Sequence, residues 1–253
     1  MAPVVPFFTA AQVRDAERPL LDAGIPLMRR AAAALAAIAA EQLTDAASRR
    51  VRVLAGSGDN GGDALYAAAD RARSAHVEVV TVGSRVHEPA LAAALGAGAR
   101  RIARDAATEA AAGAALIVDG ILGIGASADP ALRGTGRDVV AGLLPIVRDR
   151  MPRIVAVDVP SGLHPDTGTA DDVVLPASLT VTFGAVKAGL ARGRGPQLAG
   201  DVVLVDLGLG PVLEAIPPAG EVSVSRVLVA PDAFAHEARA AVRRAAPPRG
   251  GES

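Results

Sequence analysis

The spacing of apolar positions along the chain changes from a helical period to short continuous runs. Residues 10–21 and 26–43 carry apolar side chains every three or four positions, which predicts two helices separated by a break at residues 24–26. Beyond them, Val- and Ile-rich runs alternate with further helical segments. We predict strands at residues 51–55, 77–82, 115–118, 154–157, 179–183 and 202–205, and helices at 63–73 (with Asp63 as N-cap), 89–95 and 137–147.

This alternation favours the α/β class: a Rossmann-like, doubly wound, mostly parallel sheet with helices on both faces and an N-terminal helical extension. Residues 116–118 and 154–157 are apolar at consecutive positions, which is typical of strands buried on both faces. We predict a single domain over residues 1–230, with residues 222–229 as an extra strand. Residues 231–253 are predicted as a C-terminal helix and a disordered tail.

Composition narrows the classes of function. The 253 residues are 51% hydrophobic, as in a folded globular protein, and the formal net charge of −1 gives no positive field for nucleic acid or a membrane surface. The absence of cysteine excludes disulfides, thiolate catalysis and Cys-ligated zinc. No signal-peptide pattern opens the chain, and its longest apolar run, residues 31–40, is about half a membrane span. We therefore expect a cytoplasmic protein.

Two rare residues point to positions where particular chemistry is required. Asn60 is the only asparagine in the chain, and Lys187 is the only lysine beside 25 arginines. The bias towards Ala, Arg and Gly suggests a background in which Asn and Lys persist where they are needed.

A glycine-rich turn follows the first predicted strand. Residues 56–63 read Gly-Ser-Gly-Asp-Asn-Gly-Gly-Asp and contain the G-x-G-x-x-G spacing of a dinucleotide fingerprint. Asp59 and Asp63 argue against that interpretation, because carboxylates repel a pyrophosphate at a helix N-terminus. The second strand also ends in Val-Gly-Ser at residues 82–84, without an acid to hold a ribose.

Two further strands end in acids. Asp119 precedes a Gly-rich loop, which suggests a phosphate or cation site, although an aspartate that caps a turn explains the pattern equally well. Asp158 ends another strand and Ser161 follows it; the simpler alternative is an Asx-type turn around Pro160. Because ligands bind at the carboxyl ends of the strands in a doubly wound sheet, we expect these three segments to form one site.

In their order along the chain, these segments resemble the NAD(P)H-hydrate epimerase family, the YjeF N-terminal domain. The likeness rests on residues 59–63, Asp119 with its loop, residues 157–162, and residues 180–184 with Lys187, and it covers about residues 8–210. The resemblance implies a potassium ion held by Asn60, Asp119 and Ser161, whose hard oxygen ligands suit such an ion. It implies substrate binding by Asp59, Asn60, Gly61, Gly62, Asp63, Gly123, Ile124, Gly125 and Asp158.

The resemblance also implies an activity: epimerisation of the R and S forms of hydrated NADH and NADPH. Asp158 is the candidate for proton transfer, Asp63 the second candidate, and Lys187 a candidate for tuning Asp158 or contacting a phosphate. A homodimer is expected, with a contact altered by the unusual Met-Arg-Arg-Ala-Ala at residues 28–32. The S form would pass to a separate ATP- or ADP-dependent dehydratase, because we expect no dehydratase domain in this chain.

Other classes of function stay open at this stage. A hydrolase with Ser161 and His164 is disfavoured, because Ser161 lacks the G-x-S-x-G elbow. A redox enzyme that uses the dinucleotide as hydride carrier is disfavoured by the acids in the Gly-rich turn. The alternative to the epimerase is a catalytically weak nucleotide- or protein-binding module of the same fold. No nucleic-acid or membrane partner is expected.

Overall fold

The computed structural model describes residues 2–111, 113–125 and 129–230. The longer helices are α1 (Ala10–Asp22), α2 (Leu27–Glu41), α3 (Asp59–Ala72), α4 (Glu88–Gly96), α5 (Ala106–Ala111) and α6 (Gly134–Arg150). Three short helices follow: α7 (Ala188–Ala191), α8 (Gly195–Leu198) and α9 (Gly210–Leu213). The strands are β1 (Val4–Phe8), β2 (Arg50–Ala55), β3 (His76–Thr81), β4 (Arg100–Arg101), β5 (Leu116–Gly120), β6 (Arg153–Val157), β7 (Leu179–Phe183), β8 (Val186–Lys187), β9 (Asp201–Asp206), β10 (Gly220–Ser223) and β11 (Arg226–Val229).

The main sheet has eight strands in the order β11-β9-β7-β6-β5-β2-β3-β4. Every neighbouring pair in it is parallel. The predicted fold class is therefore confirmed. A second sheet of three strands joins β1 to β10 in the antiparallel sense and to β8 in the parallel sense.

Helices bury both faces of the main sheet, as the continuous apolar runs predict. Along β5, Leu116 and Val118 belong to one hydrophobic cluster and Ile117 belongs to the other, because successive side chains of a strand point to opposite faces. The first cluster includes residues of α2, α3 and α4, and the second includes residues of α5 and α6. The carboxyl ends of the central strands are thereby left as the accessible edge.

Three predicted elements need correction. Helix α3 begins at Asp59, not at Asp63, and its N-cap is Gly58, so Asp63 lies inside the helix. Helix α6 begins at Gly134, three residues before the predicted start. Residues 222–229 are not one strand: β10 and β11 belong to different sheets. In each case glycines or turn residues obscured the apolar period.

Strand β1 was not predicted, because the sheet partners that it has among the described residues, β8 and β10, lie about 180 and 215 residues away along the chain. The predicted C-terminal helix and tail at 231–253 lie outside the described residues. Within the described residues, no single helix has both the length and the apolar composition of a membrane span. Helices α1 and α2 have them only when they are taken together, and the chain bends by 113° between them.

Candidate active site

The site lies where the sheet changes winding direction. Strand β3 lies on one side of β2 and β5 lies on the other side. The chain leaves β2 and β5 from adjacent strand ends and continues in opposite directions along the sheet, which creates a crevice between the two loops. The Gly56 amide donates to the Gly120 carbonyl at 3.0 Å. A Cβ at Gly56 would lie 1.9 Å from the Ile121 carbonyl oxygen, so the two loops meet at a distance that only glycine permits.

The Asp-Asn-Gly-Gly-Asp motif forms the first turns of α3. Asn60 and Asp63 are 8% and 7% exposed and lie on its buried face, whereas Asp59 is exposed. Gly61 and Gly62 lie against neighbours: a Cβ on Gly61 would be 2.2 Å from the Gly56 carbonyl oxygen, and one on Gly62 would be 2.8 Å from a methionine sulfur. These glycines let α3 pack closely, and they line neither of the cavities described below.

The three predicted cation ligands meet around the loop after β5. The Ser161 hydroxyl donates to Asp119 Oδ1 at 2.6 Å, and the Ser161 amide donates to Oδ2 at 2.9 Å. The Leu122 backbone links them to Asn60: its amide donates to Ser161 Oγ at 2.9 Å, and its carbonyl accepts from Asn60 Nδ2 at 3.1 Å. A Cβ at Gly123 would lie 2.2 Å from Asn60 Oδ1, so that amide oxygen faces the Gly-rich loop.

Asp119 is the one carboxylate among these three ligands. Burial raises the pKa of Asp119, and the hydrogen bonds from Ser161 oppose that rise. Within the described residues, no group of three or more His, Cys, Asp or Glu side chains is placed to hold a metal. The candidate set is thus one carboxylate, one amide oxygen and one hydroxyl.

Asp158 has an unusual backbone at the end of β6. Its φ is +67°, and the amide of Val159 donates to the carbonyl of Val157 at 2.8 Å across it, as in a γ-turn. At the end of the adjacent strand β7, Gly184 makes the same kind of turn with φ +72°. A non-glycine residue at positive φ is strained, and such strain concentrates at functional sites.

The Asp158 side chain forms a buried ion pair with Lys187. Their side chains are 6% and 1% exposed. Asp158 Oδ1 also accepts hydrogen bonds from the Thr182 hydroxyl and the Phe183 amide, each at 3.2 Å. Lys187 Nζ donates further to the Phe183 carbonyl at 2.7 Å. The end of β7 and the short strand β8 therefore fix both members of the pair.

A cavity of about 270 Å³ opens onto this pair. Besides Asp158 and Lys187, its charged lining residues are Glu17, Asp59 and Asp63. Asp63 Oδ1 is buried with no hydrogen-bond partner in the described part of the chain. Burial raises the pKa of Asp63 well above its usual value, and the nearby carboxylates Asp158, Asp59 and Glu17 raise it further.

Glu17 was missed by the sequence analysis. It lies in α1 beside the charged residues Asp15 and Arg18, which are both largely exposed, so the sequence presents it as part of a solvated face. Burial raises the pKa of Glu17, and the charge of Lys187 opposes that rise. Only the packing of α1 against the sheet brings this carboxyl to the cavity.

A larger cavity of about 800 Å³ lies beside the first, along the Gly-rich loops. The predicted substrate-binding residues Gly123, Ile124 and Gly125 line it. Asp59, Asn60 and Ile124 line both cavities, so the two spaces adjoin. A small charged cavity next to a long glycine-lined one can accept a compact reacting ring with an extended nucleotide attached to it.

Side chains of the unusual sequence at residues 28–32 contact other parts of the same chain. Arg30 is 3% exposed and donates to the Leu207 carbonyl at 3.0 Å. The Arg29 guanidinium lies 4.2 Å from the centroid of the Tyr66 ring. Met28 lines the smaller cavity. These side chains therefore help to position α2 beside α3 and the site.

Fold and site together define a Rossmann-like α/β protein with its ligand site at the switch point of a parallel sheet. Residues 24–189 match the family model described as YjeF-related protein N-terminus. The chain belongs to this family.

Curated relatives extend the match over most of the chain. It is 56% identical over 227 residues to an NAD(P)H-hydrate epimerase of Microbacterium testaceum, covering 89% of this chain and 88% of the relative. It is 50% identical over 210 residues to an NAD(P)H-hydrate epimerase of Clavibacter michiganensis, covering 80% and 90%. A bifunctional NAD(P)H-hydrate repair enzyme of Mycobacterium tuberculosis is 39% identical, and the match spans 80% of this chain but 41% of that enzyme.

Among solved structures, the yeast protein ynu0 superimposes with a TM-score of 0.65 at 20% identity, covering 76% of this chain and 86% of that one. This likeness supports the fold.

Proposed function

We propose that this chain is an NAD(P)H-hydrate epimerase, which interconverts the R and S forms of hydrated NADH and NADPH. Relatives with 50% and 56% identity over most of the chain carry this name. The structural observation that carries the proposal is the smaller cavity, which is lined both by the ion pair of Asp158 and Lys187 and by Asp63. Asp63 Oδ1 is buried there without a hydrogen-bond partner within the described residues. Such a cavity can stabilise a cation and exchange a proton at one small ring.

The reaction needs both of these capabilities. In the hydrated ring, a carbon beside the ring nitrogen carries a hydroxyl group. A proton donated to that hydroxyl lets the C–O bond break with release of water, while the nitrogen lone pair forms a C=N iminium cation. Water that adds to the opposite face and loses one proton restores the hydrated ring with inverted configuration.

The two carboxyls suit different steps of this sequence. The ion-paired carboxylate of Asp158 provides fixed negative charge for the iminium, held in place by Lys187, Thr182 and Phe183. Burial raises the pKa of Asp63 and so favours its protonated form, which can donate a proton to the departing hydroxyl. Adjacent carboxyls with opposite protonation states are a general way to divide acid and electrostatic roles.

We propose that Asn60, Asp119 and Ser161 hold a potassium ion. Their donor set is made of hard oxygens, and a single carboxylate balances the charge of a monovalent cation. When bound, the ion would supply positive charge beside the Gly-rich loop. The Leu122 backbone is hydrogen-bonded to both Asn60 and Ser161, so a bound ion that fixes these side chains would also order that loop.

The cellular context is also proposed. The enzyme would act in the cytoplasm as a homodimer and supply the S form to a dehydratase. The bifunctional repair enzymes among the relatives are consistent with a coupled second activity, because the match to this chain spans 41% of their length.

The decisive experiment follows conversion of purified R-form hydrated NADPH into the S form, in potassium buffer. Wild type is compared with Asp158→Asn and with the control Asp15→Asn, which removes an exposed carboxylate from α1. We expect wild type to exceed the uncatalysed rate, and we expect Asp158→Asn to lose about 10²- to 10³-fold in kcat because it removes the fixed charge that stabilises the iminium. The control should match wild type.

A wild-type rate equal to that of buffer alone would overturn the epimerase proposal. The chain would then be a nucleotide- or protein-binding module. Full activity in a folded Asp158→Asn variant would leave the activity in place but remove Asp158 from its assigned role.

A further inference from the structure

The larger cavity extends to the carboxyl end of β3, where dinucleotide-binding folds hold the ribose of the adenosine half. In such folds an acid at this strand end binds the ribose 2′-hydroxyl, whereas an arginine nearby accommodates a 2′-phosphate. Here β3 is followed by Val-Gly-Ser-Arg at residues 82–85, with no acid, and all four residues line the cavity. Arg104 lines the same end.

Arg104 is fixed at this strand end by its own hydrogen bonds. Its Nε donates to the Thr81 carbonyl at 3.0 Å, and its Nη2 donates to the Gly83 carbonyl at 3.3 Å. Its Nη1 donates to the Thr135 hydroxyl at 3.4 Å, at the start of α6, and Thr135 also lines the cavity. A guanidinium anchored by neutral acceptors keeps its full charge and loses little conformational freedom when an anion binds.

Arg85 is positioned by the glycine-rich turn. The Ser57 hydroxyl donates to the Arg85 carbonyl at 3.1 Å and accepts from the Arg85 amide at 3.2 Å. A Cβ at Gly83 would lie 2.0 Å from Ser57 Oγ, so the loops after β2 and β3 are in contact. The backbone of Arg85 is thus tied to the site, while its side chain is exposed beside the cavity.

The charges of this end of the cavity are not neutralised by the described part of the protein. The third arginine that lines the cavity, Arg133, pairs with Asp129 at 2.6 Å. Neither Arg85 nor Arg104 forms an ion pair within the described residues. Asp59 lines both cavities and therefore lies towards their junction. Two guanidinium groups without carboxylate partners at one strand end form a site for a dianion.

We propose that Arg85 and Arg104 bind the 2′-phosphate of the adenosine half of the substrate, so that the site prefers hydrated NADPH to hydrated NADH. This inference rests on the proposed function, because it assigns the adenosine end of the proposed substrate to the end of the larger cavity that Arg85 and Arg104 line. The assignment concerns binding alone, and it can therefore be tested without turnover.

The test is calorimetric titration of the full chain with adenosine 2′,5′-bisphosphate and with adenosine 5′-monophosphate. In wild type we expect the bisphosphate to bind at least about tenfold more tightly, as charge-assisted hydrogen bonds to a phosphate predict. Arg85→Ala and Arg104→Ala should each remove most of this preference, and Arg104→Lys should retain part of it because it keeps the charge.

The matched control is Arg101→Ala. Arg101 lies in the neighbouring strand β4 and donates to the Thr81 hydroxyl at 2.8 Å, but it does not line the cavity. We expect its removal to leave the preference for the bisphosphate unchanged. In parallel, kcat/KM for the two hydrated dinucleotides should favour the NADPH form in wild type, and this ratio should fall in Arg85→Ala.

The outcomes separate this inference from the proposed function. Equal affinities in wild type, or a preference that survives Arg85→Ala and Arg104→Ala, would overturn the phosphate assignment. If both hydrated dinucleotides react with the same kcat/KM, the epimerase stands and the assignment fails. If no epimerisation occurs but the bisphosphate preference and its arginine dependence are present, the proposed function fails and the phosphate site stands.

Discussion

At the scale of single residues, Asp158 and Asp63 show how the same carboxyl group acquires different properties in one cavity. Asp158 is held by an ammonium, a hydroxyl and a backbone amide. Asp63 Oδ1 has no partner in the described structure and lies near other carboxylates. Both side chains are about equally buried, so the environments of the two carboxyls differ in the groups that contact them and not in their exposure to solvent.

The pH dependence of stability should report the environment of Asp63. Because its folded pKa is raised, the folded state binds more protons than the unfolded state between the usual aspartate pKa and the raised value, and stability falls as pH rises through this window. Asp63→Asn removes this titration. In urea unfolding, the free energy of unfolding of the variant minus that of wild type should therefore increase as pH rises above the usual aspartate pKa.

A matched control is available on the same helix. Asp70→Asn, at a half-buried position of α3, should change the free energy of unfolding by less than about 0.5 kcal/mol. A difference between Asp63→Asn and wild type that stays constant with pH would contradict this account of Asp63.

The ion pair of Asp158 and Lys187 makes a second prediction at this scale. Lys187→Met leaves the Asp158 carboxylate buried without its partner charge and should lower the free energy of unfolding by about 3–5 kcal/mol. The double variant Asp158→Asn, Lys187→Met buries no lone charge and should recover part of this loss. If the losses in free energy of unfolding of the single variants Asp158→Asn and Lys187→Met add up to the loss of the double variant in urea titrations, the pair is not energetically coupled.

At the scale of elements, the close approach of the loop after β2 to the loop after β5 determines where α3 begins. Gly56 lies against Ile121, and Gly61 lies against Gly56. These contacts place α3 so that Asn60 and Asp63, three residues apart, project from its buried face. The motif thus works as a packing device as well as a source of polar side chains.

Gly56→Ala tests this packing. Its Cβ would lie 1.9 Å from a backbone oxygen, which no rotamer change can relieve, so we expect a loss of at least about 2 kcal/mol in the free energy of unfolding. Gly58→Ala, two residues away with nothing within 4 Å of its Cβ, should cost less than about 1 kcal/mol. Equal losses in thermal or urea unfolding would show that the close approach is not the cause.

At the scale of the whole molecule, the site is assembled from segments distant in sequence. Asn60 comes from the first turn of α3, Asp119 from the end of β5 and Ser161 from the loop after β6. Glu17 comes from α1. A cation that joins these three segments would stabilise the folded state by mass action, because the unfolded chain has no such site.

Replacing potassium with tetramethylammonium at constant ionic strength should therefore lower both the epimerisation rate and the unfolding temperature. A potassium concentration 100-fold above the dissociation constant corresponds to about 2.7 kcal/mol of stabilisation. Asn60→Ala should remove most of the difference between the two salts. An unfolding temperature and a rate that are the same in both salts would argue against the ion.

The sequence by itself determined the alternation of elements and the three polar strand ends. Consecutive apolar residues in β5 and β6 predicted strands buried on both faces, and this pattern depends only on local order along the chain. Because parallel strands end at one edge, the sequence predicted that the segments carrying Asn60, Asp119 and Ser161 meet there, whereas their role as one ligand set was implied by the family resemblance.

Only the tertiary structure decided which side chains share an environment. Contacts between distant segments determine the start of α3 at Asp59, the contribution of Glu17 and the γ-turn at Asp158. They also leave Arg85 and Arg104 without an ion-pair partner within the described residues. Periodicity along the chain carries no information about such contacts, because burial, strain and charge pairing arise when packed segments exclude water and meet. For the same physical reason the sequence carried no signal for β1, whose partners in the described part of the chain are the distant strands β8 and β10.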